Sequence, residues 1–69
     1  MIGAAELRRM RKAFRALPQR DREIFVLVSV GGATYGEAAK CYACSTTQVE
    51  QAIAQVLVEL IRAAAGERS

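Results

Sequence analysis

Apolar residues along this chain recur at helical intervals, and each run of them is closed by a residue that helices do not tolerate. Leu7, Met10, Phe14 and Leu17 are spaced three or four apart, the period of one face of an α-helix, and arginines occupy the positions between. Pro18 ends that run, because its ring disfavours α geometry in Leu17 and its nitrogen has no hydrogen to donate. Proline also suits a helix start, so a second helix is expected from Gln19 through IFVLVSV to Val30, with Ile24, Leu27 and Val28 on one face. The β-branched density there would suit a strand equally. No second strand is available to pair with it, however, and a lone strand leaves its backbone groups unsatisfied, so helix is the better reading. Gly31 and Gly32 stop it, since glycine tolerates the left-handed conformation common just past a helix end.

The stretch from Thr34 to Arg62 organises the rest. Thr34 is followed three residues later by Glu37, and Ser45 three residues later by Gln48. This is the capping-box pattern, in which a hydroxyl and a Glu or Gln side chain satisfy the orphan N–H groups of a first turn. Helices are therefore expected at about 35–42, with Ala38, Ala39 and Tyr42 inward, and at about 46–64, with Val49, Ile53, Val56, Leu57 and Leu60 inward. Ala43 falls in the turn between them, where glycine would be easier if a positive φ is required.

With the first two helices at about 4–17 and 19–30, the expected fold is all-α: residues 1–69 as one compact four-helix domain containing a helix-turn-helix. The second helix of such a unit can enter the major groove of DNA. Phe25, Val26, Val58 and Ile61 exceed one inward stripe per helix. They are either additional core or a contact face for a partner helix or a second copy of the chain. Gly66 to Ser69 is expected to fray.

Length and composition narrow the classes. Sixty-nine residues, 52% of them hydrophobic, make one small domain whose apolar residues must be core or partner-facing. No apolar run approaches the roughly 20 residues of a membrane span, and the opening MIGAAELRRM is already amphipathic and charged, so a cytoplasmic protein without a targeting segment is expected. The net charge of +3 is unevenly spread. Residues 1–22 carry seven basic side chains against Glu6 and Asp21, whereas residues 23–69 carry three basic and five acidic. An anionic partner would meet the N-terminal third most readily, unless Arg8, Arg9, Lys12 and Arg15 are a solvated helix face.

Catalysis has little to stand on. The chain has no His, no Ser or Cys beside a plausible base, no carboxylate pair at useful spacing and no phosphate-cradling glycine loop, so no enzyme and no cofactor are expected. Cys41 and Cys44 have CxxC spacing, but two thiols without His are too few for a protein-only zinc site, and no βαβ context supports redox use. Cys44 reads as a small buried hydrophobe, with Cys41 exposed.

ALPQRDREIFVLVSVGGATYGEAAKCYACSTTQVEQAIAQVL resembles region 4 of bacterial sigma factors, especially the extracytoplasmic-function group and its iron-uptake sub-type. The matching pieces are the ALP-x-R-x-R-E-hydrophobic opening from Ala16 to Phe25, the glycine before the third helix, TYGEAA, and ST-x-x-VE, spread over roughly residues 7 to 62. The resemblance implies a four-helix domain that binds the −35 promoter element through its last helix. It also implies docking on RNA polymerase core or an anti-sigma factor through apolar surface. Carried onto this sequence, it puts Tyr35 near phosphate at the start of the third helix. Ser45, Thr46, Thr47, Gln48, Gln51, Ala54 and Gln55 fall on the groove-facing half of the fourth, and Arg20 and Arg22 beside the DNA backbone.

Two departures follow. Family members usually have lysine, arginine or histidine at several of the positions held here by Glu50, Gln51, Ala52 and Gln55, yet Ser45 to Ile61 contains no basic residue. Phosphate neutralisation supplies most non-specific affinity, so duplex binding by this domain alone is expected to be weak, with glutamine left to read adenine. Region 2, which melts the −10 element in this family, has no counterpart in these 69 residues, so the chain is expected to be a fragment or a free-standing sigma-like protein.

Overall fold

A computed structural model describes residues 3–66, and the expected fraying at 67–69 lies outside them. Four helices follow one another: α1 (Ala4–Ala16), α2 (Gln19–Ser29), α3 (Tyr35–Cys41) and α4 (Thr46–Ala65), with no strand among the described residues. Their boundaries have local causes. Leu17 turns to extended backbone with ψ 155°, as a residue before proline does, so α1 stops at Ala16. The backbone N–H of Gly3 donates to Glu6 Oε1 at 3.1 Å and closes the start of α1. Gly32 at φ 74° and Gly66 at φ 72° supply the left-handed residues beyond α2 and α4. At Gly31 the restriction is space, because a Cβ there would meet the Leu27 carbonyl oxygen at 2.7 Å.

Both capping boxes form in full. Thr34 Oγ1 accepts from the Glu37 N–H at 3.1 Å while Glu37 Oε1 accepts from the Thr34 N–H at 2.8 Å. Ser45 and Gln48 repeat the exchange at 3.1 and 2.9 Å. Between them, the exit from α3 is a Schellman motif. The Cys44 N–H reaches back to the Ala39 carbonyl at 2.9 Å, the Ala43 N–H to Lys40 at 3.4 Å, and Ala43 itself sits at φ 51°.

α4 is the axis of the bundle and packs against the other three helices. The core is Ile24 of α2, Ala38 and Ala39 of α3, and Val49, Ala52, Ile53 and Val56 of α4. The alanines of α3 let its backbone lie close to α4, and Leu27, Val28, Tyr42 and Cys44 close the rim of the cluster.

Three side chains depart from the inward stripes. Leu7 and Leu57 are 43% and 45% exposed. Seven-residue α3 and 11-residue α2 are too short to cover 20-residue α4, whose C-terminal half has α1 as its main cover, so Leu57 overhangs. No residue of α1 is fully buried, and Leu7 lies at its uncovered end. Phe25 departs in the other direction. It packs against the core and meets Phe14 edge-on, ring centroids 6.1 Å apart, and is thereby part of the α1–α2 joint.

Candidate functional site

The chemistry-bearing surface is the N-terminal half of α4 with the turn that precedes it. Burial of Val49, Ala52, Ile53 and Val56 fixes the rotation of α4, and Thr46, Thr47, Gln48, Gln51 and Gln55 are exposed as a result. Ser45 and Gln48 have their side chains engaged in the capping box, which leaves the N–H groups of Thr46 and Thr47 at the positive end of the helix dipole. Gln51 has no hydrogen-bond partner among the described residues, and Gln55 donates to Glu59 Oε1 at a long 3.3 Å. Ala52, one of the positions where the resembling family usually has a cation, is buried in the core cluster with only its edge lining the groove beside Gln51 and Gln55.

Arg20 joins this edge and Arg22 does not. Arg20 lines a polar groove of about 340 Å³ together with Asp21, Gln48, Gln51 and Gln55. One of its terminal nitrogens donates to the Tyr42 carbonyl at 3.1 Å, so the guanidinium is held at the end of α3. Arg22, two residues on and so about 200° around α2, is half-buried, with Nε donating to the Leu17 carbonyl at 3.1 Å. It lines a different hollow of about 490 Å³ with Phe14, Glu23, Val26 and Tyr42. Tyr35 is partly exposed in the first turn of α3.

A pattern that no sequence signal announced connects these arginines: each serves a helix C-terminus. Arg22 bonds the last carbonyl beyond α1 and Arg20 the carbonyl beyond α3. Arg9 grips α4 with Nε to Ala63 at 2.9 Å and Nη2 to Ala64 at 3.2 Å. Cations are favoured there by the helix dipole and by unsatisfied carbonyls.

The apolar residues singled out from sequence separate. Val58 and Ile61 are 41% and 67% exposed on the outer side of α4, where Leu57 joins them, while Val26 is exposed beside the hollow under Tyr42. Phe25 belongs to neither patch. The Tyr42 hydroxyl donates to Glu23 Oε1 at 3.2 Å, and its pKa is raised, first by desolvation and then by the Glu23 carboxylate. Cys41 is an exposed free thiol and Cys44 a half-buried one under the turn.

The site is therefore an exposed, amide-rich helix edge opened by a capped N-terminus, with one tethered arginine beside it. A family model described as sigma-70, region 4 matches residues 7–60, which is more than half of the 69-residue chain. No curated protein and no solved structure matches the chain.

Proposed function

The chain belongs to the sigma-70 region 4 family, and from that premise we propose that it reads a −35-type promoter element through α4 in transcription initiation or its regulation. The observation that carries this reading is the solvent-open front of α4, with Thr46, Thr47, Gln51 and Gln55 exposed over a buried aliphatic back. Gln51 is the principal base reader, since an amide can bond adenine in bidentate fashion. Thr46 and Thr47 hold phosphate through the helix N-terminus. Ser45 and Gln48 shape that N-terminus, and Arg20 sets the one nearby positive charge against the backbone. Tyr35 and Arg22 lie outside the groove of Arg20 and contribute less.

Exposed Val58 and Ile61, with Val26, support contact with RNA polymerase core as the protein partner. An anti-sigma factor or a second copy of the chain would use the same apolar side chains. The composition supports action in the cytoplasm, and among the described residues no helix is long and apolar enough to cross a membrane.

Selection from a random duplex library, followed by mobility-shift titration, tests the proposal. An enriched site whose affinity falls about 5-fold or more in Gln51→Ala, with an unchanged melting point, is the expected result; one good amide–adenine pair contributes about 1–3 kcal/mol. Enrichment of no sequence, even at low salt, would refute base reading by α4.

A further inference from the structure

We infer that α1 carries a second nucleic-acid surface, a stripe of Arg8, Arg11, Lys12 and Arg15 that holds duplex phosphates without regard to sequence, on the opposite side of the bundle from the α4 edge. At 3.6 residues per turn these four side chains fall within an arc of about 100° and span about 10 Å along the helix. All four are exposed, and none has a hydrogen-bond or ion-pair partner among the described residues. The acids that would neutralise an ordinary solvated face are missing. Glu6, the one acid of α1, is turned to the Gly3 N–H, and Arg9 is drawn away to the end of α4.

The spacing makes the point sharper. Arg8 neighbours Arg11 and Lys12 at i+3 and i+4, and Arg15 neighbours Lys12 and Arg11 in the same way, so every close pair on the stripe is of like charge. Such pairs destabilise an isolated helix, and a polyanion lying along them removes the repulsion. By contrast, on α4 the exposed Arg62 has Glu59 beside it, 3.4 Å away.

Geometry separates the two surfaces. Met10 and Phe14 of α1 share a shallow apolar groove with Leu60, edged by Arg11 and Arg15 of the stripe, and Arg9 reaches Ala63 and Ala64, so α1 lies on the inward side of α4. Thr47 and Gln51 lie on its outward side. A straight duplex along the outward edge of α4 runs on the other side of that helix from α1, so the stripe takes a separate segment of nucleic acid. Phosphate neutralisation, nearly absent from α4, is supplied from the back of the domain. Three of the four cations are arginines, whose planar forks suit phosphate oxygens. This inference stands whatever sequence α4 reads.

Fluorescence anisotropy with a mixed-sequence duplex of about 20 base pairs, from low to moderate salt, tests it. Replacing all four cations by glutamine should weaken binding at low salt at least tenfold. The slope of log affinity against log salt should flatten by about 2 to 4, at roughly 0.9 for each phosphate contact removed. Arg62→Gln, which removes an exposed cation outside the stripe, should leave this mixed-sequence binding and its slope unchanged. If the fourfold variant does not fold, the pair Arg8→Gln and Lys12→Gln, which lies away from the apolar groove, should give about half the change in slope. Parental affinity and slope in the stripe variants would overturn the inference. So would displacement of the duplex by poly-glutamate at equal charge concentration, which would assign the stripe to an acidic protein.

Discussion

Replacing Ala43 by glycine should stabilise this domain, although it removes a methyl group and loosens the unfolded chain. Ala43 is the left-handed residue of the Schellman motif that turns α3 into α4, at φ 51°. An L-residue with a Cβ holds that conformation at a cost of about 1–2 kcal/mol, because Cβ crowds the following carbonyl. Glycine relieves the crowding but raises the entropy of the unfolded chain, which returns about 0.4–1 kcal/mol. The methyl is exposed, so little burial is lost with it. The difference is a gain of about 0–1.6 kcal/mol, centred near 0.8. In a chain of this size 1 kcal/mol moves Tm by about 4–8 °C, so a rise of about 3–6 °C is expected. Far-UV circular dichroism through a thermal melt, with a urea titration to check that the slope m is unchanged, measures it. An equal or lower Tm for Ala43→Gly would refute the claim that this turn stores strain. Ala43→Val, which sets a branched Cβ in the same place, should move Tm down.

Ile53→Asp should abolish the cooperative melt, since it sets an unpaired carboxylate among Val49, Ala52 and Val56. Gln51→Ala, two residues earlier on the open face, should stay within about 0.5 kcal/mol of the parent; a parental melt for Ile53→Asp would mean that the inward face of α4 is misassigned. Gly31→Ala should destabilise by about 1–3 kcal/mol, because its Cβ would press on the Leu27 carbonyl oxygen at 2.7 Å and open the last turn of α2; an unchanged urea midpoint would contradict this. The raised pKa of Tyr42 gives a pH dependence of definite sign. The fold prefers the neutral phenol, so its contribution is whole below the ordinary value of 10.0 and is lost as pH rises through the folded-state value. Tyr42→Phe should flatten that alkaline decline, and an identical decline in the variant would remove Tyr42 as its cause.

How much of this was legible in the sequence depended on distance along the chain. The capping boxes at Thr34 and Ser45 are written within four residues, and both form as the pattern requires. Pro18 likewise acts on its neighbour, whereas positive φ at Ala43 stayed a condition in the sequence and is met only in the folded turn. What local pattern could not supply was which helix covers which. Leu57 fits the inward stripe of α4 by periodicity, yet α2 and α3 are too short to reach over it, and helix length is a property of the partners. Phe25 looked surplus because its partner, Phe14, lies on another helix. The arginines were the least legible. Arg9 finds its carbonyls 54 and 55 residues away, and Arg20 finds one 22 residues away. A composition-based reading could count these charges, but their partners emerge only after the chain has folded.

The grip of Arg9 on the final turn of α4 has a bearing on how the protein is made. α1 is synthesised before α4, and the surface that Met10 and Phe14 lie against includes Leu60. Until that turn exists, the guanidinium clamp has nothing to close upon. The bundle can therefore close only once α4 has been made, so ribosome-bound lengths ending before α4 should remain open, protease-sensitive and ready to be held by a chaperone.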